Sequence, residues 1–144
     1  MIEAIVSRYN IDVNARMVYG ETALHWVCSW GQDGCARMLL ECGADVDARN
    51  EVRDMPLHFA CRFGKSECAK VLLDAGADAN ARNELGYTPL HVACRFGDSE
   101  CVKLLLECGV EGSVKEFRGR RAVDSARKYG HTACVGLLEA AGFG

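Results

Sequence analysis

Nine cysteines and four histidines are the side chains of this 144-residue chain best suited to chemistry, as metal ligands, nucleophiles or disulfide partners. The cysteines fall into three columns whose members are separated by 33 residues or a multiple of 33: Cys28, Cys61 and Cys94; Cys35, Cys68, Cys101 and Cys134; Cys42 and Cys108. Zinc sites usually contain C-x2-C pairs with histidine partners, and the sequence has no such pair. The spacing therefore favours free thiols that fill a repeated core.

The histidines give the same indication. His25, His58 and His91 share one column of this period, so they would form a spaced row and not a converging cluster. His131 lies in a different column, directly after Gly130. The chain also contains no nucleophile elbow, P-loop or HExxH segment. We therefore predict that it is not an enzyme, with no catalytic residue, metal, cofactor or small-molecule substrate.

The period that places these residues runs through almost the whole chain. Two further columns step by 33 residues: Gly31, Gly64, Gly97 and Gly130, and Leu39, Leu72, Leu105 and Leu138. A unit of this length cannot bury its own apolar face, so successive units must stack into a linear solenoid. Function is then expected on an exposed surface and not in a pocket.

Each unit carries the signals of two short helices. Thr88 can cap a first helix whose first position is Pro89, where a missing N–H costs nothing. Gly97 is suited to end that helix in a left-handed conformation, and Gly109 to end the second. Polar stretches between units, such as residues 45–54, are predicted to be turns or hairpins.

The best-formed unit reads GYTPLHVAC over residues 86–94 and resembles the ankyrin repeat, in which Gly, any residue, Thr, Pro, Leu, His and Ala open a helix pair. The resemblance implies an all-α ankyrin-repeat solenoid of stacked antiparallel helix pairs with projecting hairpin loops. It divides one continuous domain into an N-terminal half repeat, three repeats and a C-terminal capping repeat, at residues 1–16, 17–49, 50–82, 83–115 and 116–144. It also implies that each repeated histidine bonds to Thr and backbone groups at a helix start.

In ankyrin stacks the partner surface is the concave one, formed by the loop tips and the exposed side of the first helices. The columns expected there are an aromatic row, Trp30, Phe63, Phe96 and Tyr129; a mostly basic row before it, Ser29, Arg62, Arg95 and Lys128; a second basic row, Arg16, Arg49, Arg82 and Lys115; and the tips, Tyr19, Val52, Leu85 and Arg118, with Tyr87 nearby. Aromatic residues and arginine dominate binding hot spots. The alternative for Phe63 and Phe96 is packing between adjacent repeats.

The charge pattern indicates the kind of partner. Acidic residues gather on the second helices, so the net charge of −3 hides a more positive concave face. We therefore predict a protein partner with an acidic segment and apolar anchors, and the overall acidity disfavours nucleic acid. The predicted role is a monomeric scaffold or adaptor. The alternative is a stoichiometric inhibitor or regulatory subunit of an enzyme such as a protein kinase.

The thiols and the apolar pattern bear on location. Equivalent residues in stacked repeats lie about 10 Å apart, beyond disulfide reach, so reduced thiols are expected. Cys42 and Cys108, beside the helix-ending glycines, are expected to be the exposed ones. No membrane-length apolar run or signal segment is evident. These features favour the cytoplasm, with the nucleus as the alternative.

Departures from the pattern mark special repeats. Arg53 stands in the loop glycine column and Met55 in the capping Thr column, so this hairpin is expected to be strained or reshaped. Arg121 and Asp124 replace Thr and His in the last repeat, which predicts a cap with a polar outer face.

One asparagine also matches a modification pattern. With Leu73 and Asp78, Asn80 has the spacing of asparagine hydroxylation sites in intracellular ankyrin proteins. A plain turn asparagine is the alternative.

Overall fold

The computed structural model describes residues 12–144, and within that span the regular structure is helical, without a strand. Four pairs of α-helices follow one another: α1 Ala23–Ser29 and α2 Asp33–Glu41, α3 Pro56–Arg62 and α4 Ser66–Asp74, α5 Pro89–Phe96 and α6 Ser99–Glu107, α7 Ala122–Lys128 and α8 Thr132–Ala140. A 3₁₀ turn, Val18–Gly20, precedes α1. The predicted all-α solenoid is confirmed. The predicted half repeat at residues 1–16 lies mostly outside the described residues.

The helices stack in two rows. The first helix of each pair packs on the first helix of the next, the second helix on the next second helix, and each helix on its own partner. The core is a strip between the rows, and its largest aliphatic side chains are fully buried: Leu24, Leu57, Leu90 and Val123 from the first helices, and Leu72, Leu105 and Leu138 from the second. Because the main helix contacts lie within a pair or between neighbouring pairs, stability propagates along the stack. None of the described helices has the length and apolarity to cross a membrane.

The helix ends follow the sequence signals. Pro56 and Pro89 occupy the first positions of α3 and α5, where no intrahelical N–H bond is lost. Gly97 ends α5 with a left-handed φ of 74°, a conformation that costs a residue with a Cβ about 1 kcal/mol or more. This fixes where the chain turns from the first helix into the second.

Between pairs the chain projects as loops that we call fingers, residues 16–22, 49–55, 82–88 and 115–121. Each finger is closed by a backbone bond such as Asn83 N–H to Tyr87 O, at 3.0 Å. Neighbouring fingers are joined by backbone bonds, from Glu84 N to Val52 O at 3.0 Å and from Phe117 N to Leu85 O at 3.1 Å. The finger tips are therefore held in a row along one side of the stack.

The second finger shows strain without reshaping. Arg53 has a φ of 66°, in the left-handed region that Gly86 and Gly119 occupy in the next two fingers. The turn thus keeps its form although an arginine stands where glycine would be relaxed. Met55, in the capping column, is fully buried and α3 still begins directly after it.

The cysteines divide by exposure. Six are buried as predicted: Cys28, Cys61, Cys68, Cys94, Cys101 and Cys134. Cys35 is exposed, which contradicts the predicted core position, because no described helix packs on the side of α2 that is covered in later repeats. Cys108 is exposed as predicted, whereas Cys42 is only partly exposed.

The buried thiols also meet in pairs that the column argument missed. The Cys28 thiol hydrogen-bonds to Cys68 of the next repeat, and that bond together with burial raises the pKa of Cys28. Cys101 has the same relation to Cys61, again with a raised pKa. The bond has the opposite effect on its acceptor, since it lowers the pKa of Cys68. Cys28 and Cys101, held protonated, are poor nucleophiles, which supports a packing role for these two thiols.

Candidate protein-binding surface

The exposed side of the first helices carries alternating basic and aromatic side chains. Arg62 is the last residue of α3, and Phe63 follows it directly. One repeat later Arg95 and Phe96 occupy the last turn of α5, and Lys128 with Tyr129 ends α7. The three rings are close to half exposed, at 47% for Phe63, 48% for Phe96 and 45% for Tyr129. The repeat therefore brings one predicted aromatic and one predicted cation per unit to the same edge.

These side chains form one continuous row. The guanidinium carbon of Arg62 lies 5.3 Å from the centre of the Phe63 ring and 5.7 Å from that of Phe96. Arg95 spans the next pair of rings, 5.8 Å from Phe96 and 5.7 Å from Tyr129. Lys128 Nζ completes the row 5.4 Å from Tyr129. We call these six residues the cation–aromatic ladder.

The ladder is ordered by its own contacts. A cation over an exposed ring contributes about 0.5–1 kcal/mol, so each arginine gains from both rings it touches. Arg95 Nη1 also donates to the Tyr87 hydroxyl, at 3.4 Å, which ties the ladder to a finger. Side chains already held in place lose less entropy when a partner binds.

The ladder stops before the first repeat. Ser29 stands in the basic column, and Trp30 beside it is 70% exposed. An open groove of about 660 Å³ replaces the ladder there, with Tyr19, Trp26 and Phe59 among its walls. Trp26 was missed from the sequence because its column is aromatic only in the first two repeats and reads Trp26, Phe59, Val92 and Ser125.

A smaller hollow lies between the second and third fingers. It encloses about 260 Å³ and is lined by Val52 and Leu85 from the tips, Tyr87 from the finger base, and Arg95 and Phe96 from α5. Predicted residues from two fingers and a helix are thus brought together. The tip of the last finger adds exposed Arg118 and the 69% exposed Phe117, which the sequence analysis did not select.

The second basic row has a role that the sequence did not reveal. Arg49 Nη1 donates to the carbonyl of Arg82 at 2.7 Å, and the Arg82 guanidinium donates to the carbonyl of Lys115. Arg16 makes the equivalent bond to the carbonyl of Arg49. Each guanidinium therefore bridges one finger base to the next, and Arg82 also lies over the Phe117 ring at 5.2 Å.

Asn80 is exposed in the loop after α4 and has its own bridging role. Its Oδ1 accepts from the backbone N–H of Glu111 in the next repeat, at 3.1 Å, while its own N–H donates to Asp78 Oδ1. Asp47 makes the equivalent bond to the N–H of Asp78, at 2.9 Å. This geometry accounts for a polar residue in that column, and hydroxylation of Asn80 stays a prediction.

The repeated histidines serve the helix starts. Nδ1 accepts the backbone N–H of the residue before the helix, at 3.1 Å for Thr22 and His25 and 3.2 Å for Thr88 and His91. Nε2 lies 2.8–3.1 Å from a carbonyl oxygen of the next finger in all three repeats. A carbonyl can only accept, so Nε2 carries the proton and the ring is neutral. Burial lowers the pKa of all three histidines. The predicted bonding to backbone groups is confirmed for all three, and bonding to a Thr hydroxyl for His25 and His91, whereas Met55 replaces the Thr before His58.

Comparisons with known proteins agree with this architecture. A family model described as "Ankyrin repeats (3 copies)" matches residues 36–116 and 57–142, and one described as "Ankyrin repeat" matches residues 19–51. A comparison with curated proteins gives no match. Among residues 12–144, no group of three or more His, Cys, Asp or Glu side chains is placed to hold a metal ion.

Proposed function

The chain belongs to the ankyrin repeat family, and from that premise we propose that it binds a partner protein on its inner face as a scaffold or adaptor. By inner face we mean the finger tips and the exposed side of α1, α3, α5 and α7. Ankyrin repeats are generally protein-interaction modules, and proteins of this family are generally not enzymes. The proposal concerns which surface is used and what chemistry it selects.

The cation–aromatic ladder carries the proposal. Its rings are half exposed, and within residues 12–144 none of its cations is paired with a carboxylate. When side chains at an interface are truncated, tryptophan, tyrosine and arginine most often cost about 2 kcal/mol or more of binding free energy. A row of them that is already ordered is a surface ready for a partner.

The ladder's charge supports an acidic partner segment. Three cations follow one another at the spacing of the repeat, whereas the second helices carry exposed carboxylates such as Glu67 and Glu100. A partner carboxylate placed between two guanidiniums would gain charge-assisted hydrogen bonds. The outer side of the stack would repel the same group.

The test is affinity capture from an extract of the source organism with three forms of the chain. The first is wild type, the second is Arg62→Glu with Arg95→Glu, and the third is Lys70→Glu with Lys103→Glu. Both double variants change the net charge equally and alter equivalent positions of the second and third repeats, but Lys70 and Lys103 lie on α4 and α6. We expect the partner to be lost from the inner variant and kept by the outer one.

Circular dichroism and the unfolding midpoint must first agree among the three forms, so that loss of capture reflects the surface and not the fold. Equal capture by wild type and the inner variant would overturn the proposed face. An enzyme among the captured proteins would be assayed with and without the chain, which separates an adaptor from a stoichiometric inhibitor.

We also propose that the chain acts as a monomer in the cytoplasm. The supporting observation is its nine cysteines, all free, in a stack whose buried thiols pack as small hydrophobes. Light scattering and cell fractionation test these two points.

A further inference from the structure

The inner face changes character along the stack. Three of its columns run from apolar or acidic in the first repeat to basic or polar in the last: Trp26, Phe59, Val92 and Ser125; Tyr19, Val52, Leu85 and Arg118; Glu21, Asp54, Tyr87 and Arg120. A fourth changes from uncharged to basic: Ser29, Arg62, Arg95 and Lys128. The aromatic column of the ladder, in contrast, keeps its type throughout. The two ends of one continuous surface therefore offer different chemistry.

The first-repeat end is built to receive apolar groups. Its groove of about 660 Å³ has Trp26, Trp30 and Phe59 among its walls, and Trp30 is the most exposed of these rings. The groove runs on to Phe63, where the ladder begins. Large apolar side chains gain most from such a site because each removes a wide area from water.

The last-repeat end is built to receive carboxylates. Arg95 and Lys128 flank the Tyr129 ring, and Arg118 is exposed at the tip of the neighbouring finger. The other three arginines of the last repeat are engaged with carboxylates, at 3.7 Å for Arg120 and Glu116, 3.4 Å for Arg121 and Asp124, and 3.4 Å for Arg127 and Glu139. The cations left over give this end its attraction for anions.

Building on the proposed function, we propose that the inner face takes a bipartite segment of the partner in one orientation. A large apolar side chain of that segment lies against Trp26 and Trp30, and its acidic residues lie over Arg95 and Lys128. The reverse orientation is disfavoured, because the apolar side chain would then leave Trp26 and Trp30 and cover Arg95 and Lys128, whose charges would lose water without gaining a carboxylate.

The length of the stack sets the distance between the two parts. Successive helices pack about 8–10 Å apart, so the two or three repeats from Trp30 to Arg95 and Lys128 span about 20–30 Å. An extended chain covers about 3.3 Å per residue, which places the acidic block about 6–9 residues from the apolar anchor.

The test uses a displayed library of random peptides long enough to span the inner face, selected on the full chain. Wild type is compared with Arg95→Glu, Lys128→Glu and with Trp26→Ser, Trp30→Ser; Trp30→Ser alone serves if the double variant does not fold. Lys70→Glu, Lys103→Glu is the outer control. We expect wild type and the control to enrich peptides with an apolar anchor and a separate acidic block.

The two inner variants should then affect separate parts of the motif. Charge reversal should replace the acidic block by Lys and Arg while keeping the anchor, and removal of the tryptophans should lose the anchor while keeping the acidic block. A selected wild-type peptide should bind each variant about tenfold more weakly or worse.

Peptides that bind the inner face without this division, or whose two parts respond together to either variant, would overturn the bipartite segment and leave the proposed function standing. Enriched peptides indifferent to every inner variant would overturn both. Failure to enrich any peptide, with capture of a partner still dependent on Arg62 and Arg95, would overturn only the idea that a short segment suffices.

Discussion

At the starts of α1, α3 and α5 a neutral imidazole accepts the backbone N–H of the residue before the helix, and at the start of α7 a carboxylate accepts it. His91 accepts the N–H of Thr88, and in the last repeat Asp124 Oδ2 accepts the N–H of Arg121 at 2.8 Å. The histidine also donates through Nε2 to a carbonyl of the next finger, a bond that the carboxylate of Asp124 cannot make because it has no proton to donate. The change from His to Asp therefore keeps the bond at the helix start and gives up the bond between fingers.

The histidines make stability dependent on pH. Their pKa is lowered in the folded state from the ordinary value of 6.5, so the unfolded chain binds more protons below that value. Stability is then fully present above about pH 6.5 and falls as the pH drops toward the folded pKa, by at most about 1.4 kcal/mol per pH unit for each histidine. Urea unfolding at about pH 7.5, above that range, and at about pH 5.5, below the unfolded pKa, measures the loss of stability.

His58→Asn supplies the comparison for that experiment. It should lower stability at the higher pH, because asparagine is too short to replace the Nε2 bond to the Tyr87 carbonyl, yet flatten the pH dependence. A wild-type stability that is level between the two pH values would contradict the neutral, buried assignment.

Arg53 is the residue whose replacement should stabilise the protein. Its φ of 66° costs a side chain about 1–2 kcal/mol, and glycine removes that cost while adding freedom to the unfolded chain. We expect Arg53→Gly to raise the free energy of unfolding by about 0.5–1 kcal/mol. Arg118→Gly is the control, because Arg118 lies at the tip of another finger and its φ is not positive. This change should leave the free energy of unfolding unchanged or lower it. Calorimetry that finds Arg53→Gly destabilising would contradict the strain.

At the scale of elements, neighbouring fingers are joined by side chains as well as backbone. Arg82 donates to Gly86 O at 3.2 Å within its own finger and to the carbonyl of Lys115 in the next. Arg82→Gln should therefore lower the free energy of unfolding by about 1 kcal/mol, since charge-assisted bonds across two repeats are lost. Chemical denaturation measures the change.

Lys115→Gln is the matched control, because Lys115 holds the same column and is exposed. It should leave stability nearly unchanged. Equal losses from both substitutions would show that the column acts through charge and not through bridging.

The period predicted the elements because each signal is local. Pro89, Thr88 and Gly97 determine where a helix begins and ends by their own backbone chemistry. The sequence could not show which basic column is exposed for binding and which one bridges the fingers, since the columns of Arg95 and Arg82 repeat at the same spacing. Only their three-dimensional neighbours, a ring in one case and a carbonyl in the other, distinguish them.

The period also could not predict contacts between residues of different columns. The aromatic row was predicted, but its alternation with Arg62 and Arg95 depends on side-chain direction across two repeats. Trp26 was overlooked because a column that changes type along the chain gives no repeat signal, although that change is what divides the inner face.

In the molecule as a whole, the residues that form the core are different from those exposed on the inner face. The core strip between the two helix rows is formed by repeated Leu, Ala and Cys, and it leaves the ends of the first helices free to vary. The inner face is basic and aromatic in three repeats and apolar in the first, while the second helices bear exposed acids. A rigid surface of this kind selects a partner by the pattern of its side chains.

Site-specific photocrosslinking shows whether the partner lies on the inner face, as proposed. A benzophenone amino acid would replace Phe96 in one form of the full chain and Lys103, on the second helix of the same pair, in another. Irradiation in the captured complex should join the partner to the chain through the position of Phe96 and not through that of Lys103. Crosslinking through the Lys103 position alone would place the partner on the outer row and contradict the account.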